Sequence, residues 1–233
     1  MIAITIDGPG GAGKSSVAQR VAAKLGFLYV DTGALYRAIG LFMIEKGADP
    51  GDSHTVIPLL KEISVSLKHK NGEQRVYLNG RDVSDKIRSD DVSMAASRVS
   101  PIPEVRSFLL SLQRDIAKSN NVVMDGRDIG TVVLPDAGVK IFLTASPEER
   151  AKRRYLQLTH KGMKVDYDAV LADLKQRDYN DSHRAVSPLK QAEDAVLVDT
   201  TGDDLNQTVN RLIQIVKEKS AAKPQNGAKQ NNE

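Results

Sequence analysis

The segment Gly8-Pro9-Gly10-Gly11-Ala12-Gly13-Lys14-Ser15 constrains this chain more than any other. It follows a short β-branched apolar run, Ile2-Ala3-Ile4-Thr5-Ile6. It precedes a stretch from Ser15 to Leu25 with apolar residues at Val17, Ala18, Val21, Ala22 and Leu25. The first run reads as a buried strand, and the second spacing is one face of a helix. Gly26 stands at the usual C-terminal position of such a helix. Phe27-Leu28-Tyr29-Val30 reads as a second strand. Two strands joined through a crossover helix run parallel.

The loop matches G-x-x-x-x-G-K-[ST], the phosphate-binding P-loop. Its glycines let backbone N–H groups curve around a phosphate, and the next helix turns its positive end toward the same anion. Lys14 then reaches the β and γ phosphates, and the Ser15 hydroxyl is a ligand for Mg²⁺. Gly8, Gly10 and Gly13 also satisfy G-x-G-x-x-G, with Asp31 near the position of a dinucleotide fold's ribose-binding acid. That rival gives no reason for Lys14-Ser15 at the helix start.

Three further apolar runs extend the sheet to five strands: Val122 to Met124, Val139 to Leu143, and Ala195 to Val198. Helical patterns lie between and after them, most clearly over Arg106 to Ala117 and Leu205 to Val216. Repeated βα alternation with continuous apolar strands predicts a parallel sheet covered by helices on both faces. Ile63 to Val83 differs. Ile63, Val65 and Leu67 alternate with polar residues, Asn71-Gly72 signals a hairpin turn, Val76 and Leu78 resume the alternation, and Asn79-Gly80 marks another turn. This predicts a small antiparallel sheet inserted into the α/β domain. Glu148 to Asp178 is polar and helical, broken at Lys161-Gly162. The segment 220–233 has no apolar residue but alanine and is expected to be a disordered tail.

Composition removes several classes of function. With no Cys there is no disulfide, thiol nucleophile or cysteine-ligated metal. The net charge is +3, and Lys223, Lys229 and Glu233 in the tail hold +1 of it. The remaining +2 does not suggest a nucleic-acid binder. No apolar run approaches the roughly 20 residues of a membrane helix, mean hydropathy is −0.34, and the N-terminus lacks the features of a signal peptide. A soluble cytoplasmic protein is expected. The four His residues are scattered without metal-ligand spacing.

A P-loop does not specify the reaction. No Asn-Lys-x-Asp guanine motif is present. Instead, arginines stand beside acids in three clusters: Asp31 to Arg37, Asp125 to Gly130, and Arg177 to Arg184. The first two follow strands directly, which places them at the carboxyl ends of a parallel sheet, where ligands bind. Phosphoryl transfer is mainly positioning and charge neutralisation, so arginines, Lys and Mg²⁺ are expected to dominate such a site. Another small-molecule P-loop kinase, acting on UMP or shikimate, and a nucleotide-dependent regulatory protein remain as alternatives.

GPGGAGKSS, DTGALYR, the inserted hairpin, MAASRVS, DGRDIGTVV, SPEERAKRR and RDYNDSHR together resemble bacterial cytidylate kinases over nearly the whole chain before the tail. The resemblance implies transfer of a phosphoryl group from ATP to CMP or dCMP with Mg²⁺. It implies a P-loop core (1–35, 98–147 and 185–219), a nucleoside-monophosphate-binding domain with the hairpin (36–97) and a lid (148–184). It places ATP on Gly8 through Ser16, with Lys14, Arg127 and Arg184 as catalytic residues and Ser15 on the metal. The acceptor phosphate clamp falls on Arg37, Arg127 and Arg184, and the cytosine contacts on Thr32, Ser97, Arg106 and Asp128. The ribose contacts fall on Asp181 and Arg177, with Tyr36 lining the pocket. Related kinases often carry Ser at the position of Thr32, which keeps a hydroxyl. Arg150, Arg153 and Arg154 are the lid candidates for the ATP side. A monomer is expected.

Overall fold

The computed structural model describes residues 1–70 and 73–221. A five-stranded parallel sheet is built from β1 (Ala3–Asp7), β2 (Leu28–Asp31), β6 (Val122–Gly126), β7 (Val139–Thr144) and β8 (Val196–Asp199), in the order β2-β6-β1-β7-β8. The central strands are mostly apolar because both faces are covered. On one face Ile4, Ile6, Val123, Ile141 and Leu143 are buried against Val17 and Val21 of α1 (Lys14–Leu25) and Val209 and Leu212 of α8 (Leu205–Ala221). On the other, Val30, Val122 and Met124 pack against Ala117, Leu110 and Ile116 of the helix Pro103–Ser119.

Gly26 ends α1 in the left-handed conformation, φ 68°, and its N–H reaches back to the carbonyls of Ala22 and Ala23. α8 runs beyond Val216 to Ala221. Ser220 and Ala221 therefore belong to the helix and not to the expected tail, whose remaining residues, like the Asn71-Gly72 turn, lie outside the described residues.

A second core lies beside the sheet. It is formed by α2 (Thr32–Glu45), α3 (Ser53–Leu59), α4 (Asp90–Val99) and α5 (Pro103–Ser119), together with β3 (Val65–Lys70), β4 (Glu73–Leu78) and β5 (Arg81–Asp82). The three strands form the expected antiparallel sheet, with Val65 opposite Leu78 and Tyr77 opposite Asp82. Its polar edge meets the main sheet. Gln74 Oε1 accepts the Asp31 N–H at 2.9 Å, Gln74 Nε2 donates to Asp31 O at 3.3 Å, and His69 Nε2 lies 2.9 Å from Tyr29 O.

α2 escapes the periodicity argument, whereas α4 follows it, burying Val92, Ala95, Ala96 and Val99 along one face. Apart from Tyr36 and Arg37, which face the cavity, α2 is apolar from Ala34 to Met43 because it is buried in this core. α4 begins at a Ser89 cap and packs so closely on α2 that a Cβ at Gly40 would stand 2.8 Å from Ala96 N.

The polar segment after β7 forms α6 (Pro147–His160) and α7 (Tyr167–His183). The break between them includes Gly162 at φ 77°, as the Lys161-Gly162 signal predicts. No described helix is long and apolar enough to cross a membrane.

Candidate active site

The carboxyl ends of β1, β2 and β6 open onto a cavity of about 570 Å³. Its floor is the loop before α1. Gly10, Gly11, Gly13, Lys14, Ser15 and Ser16 line it, whereas Gly8, Pro9 and Ala12 shape the loop from behind. Gly8 holds φ 149°, and a Cβ there would lie 1.9 Å from Leu143 O, so the loop sits against β7 only because this position is glycine. Lys14 is buried, and its Nζ donates to Pro9 O at 2.7 Å. Burial, reinforced by the Arg127 guanidinium, pulls its ammonium well below the usual lysine range. A bound polyphosphate would restore the charge.

Sequence reasoning assigned no role to Asp125. It is buried at the end of β6 and accepts from Ser15 Oγ at 2.8 Å and from Tyr29 Oη at 3.0 Å. Burial and the nearby Asp31 carboxylate push its carboxyl upward. Among the described residues no three His, Asp or Glu side chains cluster as a metal cage. A hydroxyl and one carboxylate are nonetheless a fitting set for Mg²⁺, which takes one or two protein oxygens and completes its shell with phosphates and water. The position of Asp125 in DGRD, at a strand end opposite the P-loop serine, was the available signal.

Asp7 was missed for the same reason, as the acid closing the first strand. Its carboxylate accepts the N–H groups of Ile129 at 2.8 Å and Gly130 at 2.7 Å. These begin a single π turn, Ile129–Val133, directly after Arg127-Asp128. Asp7 therefore anchors the backbone that presents Arg127 and Asp128. Burial pushes its carboxyl up to about 6, even though both backbone donors pull it down.

The opposite end of the cavity is basic and carefully paired. Asp31 caps α2 through the Ala34 N–H at 3.0 Å and holds Arg37 at 2.7 Å. Arg127 donates from Nε to Asp181 at 2.9 Å. Burial opposes the charge on Asp181, but Arg127, with Arg184 and Arg177, outweighs it and keeps the carboxyl low. Asp128 binds Arg106 directly and faces Arg184 Nη2 at 3.8 Å. Arg184 Nε donates to Ser187 O at 2.6 Å, while its buried Nη2 has no hydrogen-bond partner. Burial, then repulsion from Arg106, lowers its pKa. This is a site under-supplied with negative charge, as an anion pocket should be. Tyr36 lies under Arg106, with the guanidinium 5.5 Å from its ring centre, and burial pushes its phenol up to about 12.

Thr32 donates to Asp125 O at 2.8 Å, and Ser97 lines the wall from α4. Arg177, Asp181, Arg153 and Arg154 also border the cavity. Arg154 reaches across to Asp90 at the start of α4, while Arg153 holds Glu149 and Thr200. Arg150 corrects an expectation. It is buried and does not line the cavity, because its guanidinium is consumed by three acceptors behind the loop.

The family model described as cytidylate kinase matches residues 4–218. The chain belongs to the cytidylate kinase family. It is 50% identical over 214 residues to the cytidylate kinase of Caldicellulosiruptor saccharolyticus, covering 92% of this chain and 95% of that one. It is also 50% identical over 216 residues to that of Caldanaerobacter subterraneus, covering 93% and 95%. Among solved structures, an uncharacterized protein from Eubacterium ventriosum shares the fold with a TM-score of 0.52 at 14% identity, over 93% of this chain and 99% of that one.

Proposed function

We propose that this member of the cytidylate kinase family transfers the γ-phosphoryl group of ATP to CMP or dCMP, giving ADP and CDP or dCDP. One observation carries the reading: a P-loop and a separate arginine pocket face each other across one cavity. ATP lies on Gly8 through Ser16, and the acceptor phosphate sits among Arg37, Arg127 and Arg184. Ser97, Thr32, Arg106 and Asp128 meet the cytosine, Arg177 and Asp181 meet the ribose, and Tyr36 lines the acceptor pocket. Arg153 and Arg154 face the ATP side.

Lys14, Arg127 and Arg184 stabilise charge on the phosphoryl group in flight, which is where electrostatic catalysis acts. The acceptor phosphate, with a second pKa near 6, is largely dianionic at neutral pH and needs no strong general base. Ser15 and Asp125 would hold Mg²⁺, which when bound neutralises phosphate charge. The family and the arginine pocket do not favour the UMP, shikimate or regulatory alternatives.

The domain reading stands with this proposal: a core of 1–35, 98–147 and 185–219, an acceptor domain of 36–97, and a lid of 148–184 closing over ATP. A monomeric cytoplasmic enzyme of pyrimidine nucleotide metabolism, without nucleic-acid or membrane partners, completes it. Coupled measurement of ADP formation with CMP, dCMP, UMP, AMP and GMP is the test. A preference for any acceptor other than CMP and dCMP would overturn it.

A further inference from the structure

We propose that Arg150 is a positioning residue that fixes the Gly10–Gly11 peptide plane, turning its N–H toward the donor phosphates, and that Asp178 holds Arg150 in place for this. The inference rests on the proposed use of the P-loop for the donor nucleotide. Arg150 stands in the first turn of α6, with the side chain almost wholly buried. Its Nε donates to Ala145 O at 2.9 Å. Its Nη1 donates to Gly10 O at 3.0 Å and lies 2.7 Å from Asp178 Oδ2 on α7. One planar guanidinium thus ties together the end of β7, the P-loop and α7. Only arginine has the forked donors to do this.

The Gly10–Gly11 peptide is trans, so its carbonyl oxygen and N–H point in opposite directions. Gly10 and Gly11 both border the cavity, but the carbonyl points to Arg150, which does not. The N–H is therefore held toward the cavity side. Without the clamp, this peptide is free to turn and present an oxygen to an anion. Gly11 makes the arrangement feasible. It adopts φ 75°, and a Cβ there would stand 3.2 Å from Arg150 Cβ. The other Asp178 oxygen, Oδ1, is buried without a hydrogen-bond partner, so the single contact to Arg150 carries this carboxylate's role in the network. Asp178 lies one turn before Asp181, the partner of Arg127. The position of α7 is thereby linked to the shape of the phosphate loop.

The test is calorimetric titration of ADP with Mg²⁺, and separately of CMP, into wild-type, Arg150→Lys, Arg150→Met and Asp178→Asn proteins. Lysine keeps the charge and the length but has one nitrogen and cannot serve three acceptors. Arg150→Lys and Arg150→Met are expected to weaken ADP about tenfold or more, the change that one charge-assisted hydrogen bond supports. CMP affinity should stay within about twofold. In steady state the KM for ATP should rise while the KM for CMP holds. Asp178→Asn should move ADP affinity in the same direction by less. Unchanged ADP affinity in folded Arg150→Lys overturns the proposal. So does an equal loss for ADP and CMP, which would mean general loosening. If Arg150→Met does not fold, Arg150→Lys decides. Failure of the wild-type protein to bind ADP would instead overturn the P-loop reading itself.

Discussion

Replacing Asp128 by asparagine tests how the acceptor base is chosen. The Asp128 side chain is about as buried as those it meets, Arg106 at 9% exposure and Arg184 at 5%. One oxygen binds Arg106, and the other lies 3.8 Å from Arg184, beyond hydrogen-bond distance, so it retains lone pairs for a ligand. A carboxylate oxygen accepts from the exocyclic amino group of cytosine, whereas uracil presents an oxygen there. Hydrogen bonds to charged groups contribute roughly 1.5–3 kcal/mol, which at about 1.4 kcal/mol per decade is a factor of about 10 to 150.

In the Asp128→Asn variant, the new side chain would keep an acceptor for Arg106 and offer an amide N–H₂, which repels the cytosine amino group and suits uracil. We expect the ratio of kcat/KM for CMP over UMP to fall at least about tenfold. The substitution also removes the negative charge between two buried guanidinium groups. Breaking such a pair costs up to about 3–5 kcal/mol, or about 6–20 °C in Tm for a chain of this size. That loss burdens both substrates equally, so the ratio isolates base recognition. The assay is coupled ADP formation with both acceptors, run below both melting temperatures. Equal falls in both kcat/KM values would refute the reasoning and leave Asp128 as a holder of Arg106 and Arg184.

Lys14→Ala should lower kcat/KM at least about a hundredfold with an unchanged circular-dichroism spectrum, and turnover close to wild type would sink the assignment of Lys14 to the phosphoryl group. Asp7, pushed up to about 6 by burial, binds a proton in the folded chain between about pH 4 and pH 6 that the unfolded chain has released. Its contribution to stability therefore declines as pH rises through that window, by up to ~3 kcal/mol. Urea midpoints on either side of it should diverge less in Asp7→Asn than in wild type, and an identical slope would count against the assignment. For the lid, a bisubstrate analogue should slow hydrogen exchange across 148–184, and unaltered exchange there would remove it.

The sheet was legible because each strand is a short apolar run, and two of the three site clusters follow one of them, the third closing α7. Loop, glycine cap and α6–α7 break announce themselves through residues with restricted conformational uses: Gly8, Gly26 and Gly162. α2 was hidden because a helix buried over most of its surface has no clear polar stripe, and Asp31 to Arg37 read as a charged cluster at a strand end. Within the site, sequence spacing brings arginines to the cavity but does not say which face outward. Arg150 and Arg153 are three residues apart on α6, yet Arg150 turns behind the P-loop and Arg153 borders the cavity. Asp7 and Asp125 look like ordinary strand-ending acids until tertiary pairing brings Ile129 N–H and Ser15 Oγ to them.

The contact of Gln74 and His69 with β2 has a consequence for solubility. β2 is an outer strand of the parallel sheet, and an outer strand with free amide and carbonyl groups is a template for pairing with another chain. Gln74 engages both backbone groups of Asp31, and His69 meets the carbonyl of Tyr29. The small antiparallel sheet is thus a sheath along that border as well as part of the acceptor lobe. Excising it would bare the rim of the main sheet, and the shortened chain would tend to self-associate along β2 even if its P-loop half folded.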